Sequence, residues 1–210
     1  MATVSFAALE WQAAPLPGSD APAQLARLPG AADGAFRAFV RFPAGWSRPG
    51  AGHYPVAEEF FVLEGDLRLN GITWREGGYA WIPANRVRSA SRSESGCLAF
   101  AWFAAAPRWI PGEPGQAALS DDVRFAHWRD VPEHTIAGGG HGRQLRAGPE
   151  HQTWIVQGRQ VAQLAASGMR CETLGLSDRA WRPEAGDESP QDPSGTVYAR
   201  LWRAPENETR

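Results

Sequence analysis

Residues 80–102 read AWIPANRVRSASRSESGCLAFAW, and residues 180–202 read AWRPEAGDESPQDPSGTVYARLW. At an offset of 100, Ala80, Trp81, Pro83, Ser89, Ala99 and Trp102 meet Ala180, Trp181, Pro183, Ser189, Ala199 and Trp202. One gap brings Gly96 onto Gly195, and upstream Gln24-Leu25 matches Gln144-Leu145 at an offset of 120. Paired tryptophans at both ends, with a shared proline, point to the duplication of one module. The change of offset means that the second copy has lost about twenty residues, in the region corresponding to Trp46–Val56. The Pro- and Gly-rich stretch 105–120 (AAPRWIPGEPGQAALS) has the composition of an interdomain join. The expected domains are therefore residues 1–110 and a shortened 111–210.

The module is built of short strands. Ala35–Phe42 (AFRAFVRF) alternates apolar residues with Arg, the pattern of a half-buried strand. Glu59–Leu63 (EFFVL) is nearly all apolar and ends at Glu64-Gly65. Leu67-Arg68-Leu69 runs into Asn70-Gly71, a tight-hairpin signal, and Ile72 and Trp74 resume the alternation. YAWI (79–82) stops at Pro83, and CLAFAWF (97–103) stops before Pro107. Long helical periodicity is scarce, so the expected class is all-β, a sandwich or closed barrel, with helix confined to short turns. Ten Trp and nine Phe suit such an interior. Phe61, Leu63, Trp81, Phe100 and Trp102 are expected to be buried.

Composition excludes several chemistries. All 21 basic residues are Arg, so a Schiff-base lysine, a P-loop lysine and a Ser–Lys dyad are ruled out. A net charge of −2 gives no electrostatic case for nucleic acid or an anionic membrane. Cys97 and Cys171 form no CxxC pair and read as buried free thiols in a reducing compartment. The N-terminal stretch lacks a basic n-region and no apolar run is long enough to span a bilayer. A cytoplasmic protein is expected. His127, His134, His141 and His151 are spread through a Gly-rich segment and read as loop histidines; Gly138-Gly139-Gly140 lacks the strand–loop–helix context of a phosphate loop.

Gly45–Gly65 (GWSRPGAGHYPVAEEFFVLEG) resembles the first motif of the cupin superfamily, in which Gly45, His53, Glu58 and Gly65 fall at the required spacing. Gly77 and Pro83 fit the second motif, with Asn85 where Gly is usual and Arg88 where His is usual. EEFFVLEG followed by GGYAWIP is similar to two-cupin proteins related to the cupin-like domain of ChrR anti-sigma factors and to acetylacetone dioxygenase. The resemblance implies a double-stranded β-helix, or jelly-roll, barrel in two tandem copies, the second shortened. It also implies an open metal site of two His from a His-x-His pair, a Glu and a third His. This chain departs from that set: Ala51 replaces the first His and Arg88 replaces the last, so His53 and Glu58 alone remain. In the second copy Glu188 falls opposite Arg88.

Three readings of the first barrel are open. Arg88 can replace the metal as the positive charge, pair with Glu58 and receive a carboxylate through its planar fork. A divalent metal such as Fe, Zn, Mn or Ni can persist on His53, Glu58 and a further ligand such as Glu59. Or His53 and Glu58 can be remnants inside a barrel without chemistry. Three functions compete: a protein that binds a small molecule, with an anionic one as an option, through Arg88, Glu58 and Trp81; a metal-dependent dioxygenase-like enzyme; and a metal-free isomerase or lyase with His53 as general base and Arg88 as electrostatic stabiliser. Binding without a cofactor is the preferred expectation. Bare sheet edges in such folds need cover, which points to a homodimer.

Overall fold

The computed structural model describes residues 2–29, 34–115, 123–136, 139–148, 151–166, 169–183 and 193–203. It contains two compact units, Glu10–His127 and Trp128–Arg210 together with Met1–Leu9. Among the described residues no helix is long and apolar enough to cross a membrane.

The N-terminal unit, Glu10–His127, is β throughout. Its strands are β1 (Gln12–Ala14), β2 (Ala23–Arg27), β3 (Phe36–Phe42), β4 (Ser47–Arg48), β5 (Gly52–His53), β6 (Glu58–Leu69), β7 (Ile72–Arg75), β8 (Gly78–Ile82), β9 (Ser91–Arg92), β10 (Cys97–Phe103), β11 (Ile110–Pro111) and β12 (Arg124–His127). The principal sheet runs β1-β2-β3-β10-β6-β8-β12, every pair antiparallel. β6 is long enough to serve two layers. Its first half pairs with β10 and β8, while Asp66–Leu69 pairs with β7 and, at Arg68, with β9. The register shift between Leu98 and Ala99, opposite Glu64 and Val62, accompanies the change of layer. Asn70 and Gly71 form the turn between β6 and β7 with φ of 52° and 81°, the left-handed pair that a two-residue hairpin of matching twist demands.

Strand parity builds the barrel. Ala38, Val40, Phe60, Val62, Ala80, Ile82, Ala99, Ala101 and Phe103 belong to one buried cluster, the interior. The alternate residues of the same strands, Phe39, Phe61, Phe100, Trp81 and Trp102, are also buried, with Leu63 at the margin. The expected burial of Phe61, Leu63, Trp81, Phe100 and Trp102 is thus met, on the face opposite the interior.

The C-terminal unit repeats the main sheet in smaller form. β13 (Glu133–Thr135), β14 (His141–Arg146), β15 (His151–Gln157), β16 (Arg170–Gly175), β17 (Trp181–Arg182) and β18 (Thr196–Trp202) are ordered β13-β14-β15-β18-β16-β17. This is the order β1-β2-β3-β10-β6-β8 of the first unit. Trp81 on β8 and Trp181 on β17 therefore occupy equivalent strands, as do Trp102 on β10 and Trp202 on β18. A short helix, α1 (Val161–Ala165), follows β15 where β4 and β5 follow β3. β16 stops at Gly175 and the chain reaches β17 with no counterpart of β7, so the hairpin carries much of the shortening that the sequence placed at Trp46–Val56. Where the first unit sets Phe100 opposite Phe61, the second sets Arg200 opposite Glu172, an ion pair at 3.4 Å with both side chains 2% exposed.

The division between units differs from the expected 1–110 and 111–210. β11 pairs with β5 and β12 pairs with β8, so the chain through His127 belongs to the first barrel. Val4 exchanges backbone hydrogen bonds with Trp181 at 2.8 and 2.9 Å, which ties the N-terminus to the second unit. Residues 116–120 of the expected join, like Gly138, Glu188 and Ser189, lie outside the described residues.

Candidate functional site in the N-terminal barrel

The interior of the first unit holds a cavity of about 520 Å³, within the range of small-molecule sites. Its wall is largely apolar and aromatic, with Phe36, Phe42, Trp46, Phe60, Phe103 and Trp109 prominent. Five polar or charged side chains interrupt the inner wall: Arg48, Tyr54, Glu58, Arg88 and Ser91. Arg27 and Arg108 also line the cavity but are exposed, at its rim.

Arg88 reaches Glu58. Its Nε donates to Oε2 of Glu58 at 3.0 Å and its Nη2 lies 2.9 Å from the same oxygen, while Nη1 donates to the Arg86 carbonyl at 3.0 Å. The guanidinium lies 4.9 Å from the Tyr54 ring centroid. Arg88 is 1% exposed and Glu58 is 15% exposed. The backbone fixes this pair: Arg88 exchanges hydrogen bonds with Gly52 at 2.7 and 3.0 Å, and Glu58 opens β6 beside Ile82. Asn85, where the motif usually has Gly, has φ of 62°, a conformation that Asn tolerates better than other non-glycine residues. The turn geometry of the motif is thus kept although its letters differ.

Other expected site residues lie elsewhere. His53 is 4% exposed, with Nδ1 3.2 Å from the Gly112 carbonyl, and it does not line the cavity. Its backbone sits between β11 and the Gly52–Arg88 bridge. Trp81 stacks on Trp102, ring centroids 6.0 Å apart and planes inclined by 26°, on the face of β8 opposite the interior. Glu59 alternates with Glu58 along β6 and is fully buried on that other face, so it is no third ligand beside Glu58.

The donor set does not fit a metal. Among the described residues no group of three His, Cys, Asp or Glu side chains stands together. Glu58 already faces a guanidinium, and a divalent cation next to Arg88 would be repelled in a low-dielectric wall. Burial pushes the thiols of Cys97 and Cys171 up to about 12, so neither supplies a thiolate at neutral pH.

Sequence reasoning passed over Arg48, Ser91, Tyr54 and Trp109. One signal was present: Trp46 and Arg48 are two apart, so a strand that points the Trp inward points the Arg inward too. Trp109 owes its place to Gly52, where a Cβ would come 2.3 Å from its ring.

No family model matches the chain, and no curated protein does. Solved structures match. A candidate dioxygenase from Nostoc punctiforme PCC 73102 is 15% identical, with 96% of this chain and 82% of that chain covered at a TM-score of 0.71. The Escherichia coli protein Ylba is 14% identical over 95% of this chain and 85% of that one, TM-score 0.54. Vicilin from hazelnut, Corylus avellana, is 9% identical over 96% and 85%, TM-score 0.51. At such identities the likeness shows the fold, which is that of the cupins.

Proposed function

We propose that this cupin-fold protein binds a small molecule with an apolar body inside its N-terminal barrel, without a metal. One observation carries the reading: the aromatic-walled cavity of about 520 Å³ has the Arg88–Glu58 ion pair set into its wall, at the positions where the cupin motif provides metal ligands. The pair takes the metal's place with no coordination chemistry, the Arg88 charge being balanced by Glu58. His53 is not among the residues lining the cavity and its Nδ1 lies 3.2 Å from the Gly112 carbonyl, which favours binding over the metal-free isomerase. The homodimer belongs to the same proposal; β12 is the edge strand of its sheet and carries Phe125 at 54% exposure, which supports it.

The test is a fluorescence titration with the neutral apolar dye N-phenyl-1-naphthylamine. The expected result is saturable one-to-one binding, unchanged by EDTA and abolished in Ala101→Trp, which fills the cavity. Stoichiometric Fe, Zn, Mn or Ni in untagged protein, with dye binding lost on its removal, would instead support the metal-dependent dioxygenase alternative.

A further inference from the structure

Arg48 is a buried cation without an anion. It is 6% exposed and lines the cavity. Its guanidinium lies 3.6 Å from the centroid of the Trp109 ring, and its Nη1 donates to the Tyr54 hydroxyl at 3.4 Å. Its Nε is buried with no hydrogen-bond partner. Among the described residues no carboxylate comes within ion-pair distance of it; Glu58, the acid of the cavity wall, is already paired with Arg88. Arginine stays protonated at any accessible pH, so the charge cannot be relieved by losing a proton.

Ser91 sits directly across from it. Arg48 and Ser91 are register partners on β4 and β9, which in an antiparallel pair puts their side chains on one face with Cβ atoms about 5 Å apart. Ser91 is 3% exposed, lines the same cavity, and its Oγ is buried with no partner. Two unsatisfied polar groups thus stand side by side on an inner wall whose other charged groups, Arg88 and Glu58, pair with each other. Buried polar groups in folded proteins are nearly always paired, so the missing partner is a ligand group. It must accept from both a guanidinium and a hydroxyl, and carry the negative charge that Arg48 lacks. The Tyr54 hydroxyl, an acceptor toward Arg48, keeps its own proton for the same group.

We propose that Arg48 and Ser91 form a receptor for one carboxylate, and that the ligand is a monocarboxylate with an apolar body. This rests on the reading of the cavity as a small-molecule site. The charge follows from the wall: among the described buried residues that line the cavity, Arg48 is the one cation without a carboxylate at ion-pair distance, so a second carboxylate held deep in the cavity would meet aromatic walls with no counterion. The exposed Arg27 and Arg108 at the rim favour entry of an anion.

The experiment is isothermal titration of the full chain with 2-naphthoate, neutral 2-naphthamide and naphthalene-2,6-dicarboxylate, repeated in Arg48→Met and Ser91→Ala. The expected order is naphthoate tightest, by about thirtyfold over the amide, the range of a hydrogen bond to a charged group. Arg48→Met should remove that preference, bringing naphthoate and naphthamide to the same affinity, and Ser91→Ala should remove part of it. Arg48→Met should also raise Tm in the absence of ligand, because it deletes an uncompensated charge. Naphthoate and naphthamide binding equally, or a lowered Tm in Arg48→Met, would overturn the receptor. Failure of all three naphthalenes with retention of N-phenyl-1-naphthylamine overturns the receptor and leaves the cavity reading standing; loss of that dye as well overturns both.

Discussion

Arg88 and Glu58, thirty residues apart in sequence, meet through a single carboxylate oxygen: Nε and Nη2 of the arginine both approach Oε2, at 3.0 and 2.9 Å. The pair ties the loop before β9 to the start of β6 inside the barrel wall. Arg88→Ala leaves Glu58 without its cation and should cost about 3 kcal/mol, near the low end of the penalty for breaking a buried pair. Replacing both, as Arg88→Met with Glu58→Leu, should recover most of that loss. Urea denaturation of the two variants beside the parent measures the difference; equal losses would show that the pair contributes nothing as a unit.

Chelators should leave the molecule unchanged. With the Arg88 guanidinium against Glu58 and His53 facing the Gly112 carbonyl, EDTA should shift Tm by less than about 1 °C, since only a group bound to the folded state stabilises it. Differential scanning calorimetry with and without EDTA reads this directly.

The face of the main sheet opposite the cavity should carry much of the stability. Phe61 is 2% exposed and lies opposite Phe100, which in turn meets Phe39 ring to ring at 5.6 Å. Phe61→Ala should cost about 3–5 kcal/mol. A loss below about 1 kcal/mol in equilibrium unfolding would place it outside the tightly packed core.

Acid should begin to destabilise the C-terminal unit near pH 6.5, above the range in which carboxylates titrate. Burial, with Arg200 and Arg146 nearby, lowers the pKa of His151 from 6.5 to about 3. The unfolded chain therefore binds a proton between those values that the folded chain refuses, and stability falls as pH drops through that window. His151→Gln should flatten the fall. Asp66 in the first unit acts later: burial raises its pKa, but the Ser95 hydroxyl and the amides of Ser95 and Glu94 outweigh that and hold it below 3.8. Its contribution is present above that value and is lost at still lower pH. Thermal scans at stepped pH, for parent and His151→Gln, separate the two.

The strands were legible because their signals are local. Alternation in Ala35–Phe42 and the Asn70-Gly71 dipeptide each describe a conformation that a few residues settle among themselves. The offset-100 match of Trp81 with Trp181 found the equivalence of β8 and β17. Of the site, the motif spacing brought Arg88 to Glu58. His53, Trp81 and Glu59 do not line the cavity, because which face of a strand turns inward depends on register with distant strands. Arg48 and Ser91 escaped notice for the same reason: their adjacency exists only through the β4–β9 pairing, and neither residue type is unusual in sequence.

The contact between Gly52 and Trp109 bears on attempts to engineer a metal centre into this barrel. Restoring histidines at 51 and 88 reads on paper as a two-step graft. Yet the indole of Trp109 fills the volume above Gly52, with its Cζ2 and Cε2 2.3 and 2.5 Å from where a Cβ at 52 would stand, and it also forms the platform on which Arg48 lies. A larger residue at 52 expels the indole, and expelling the indole leaves Arg48 without its seat. Backbone spacing at 52 and the aromatic platform are interlocked, so enlarging residue 52 has to be paired with a smaller residue at 109.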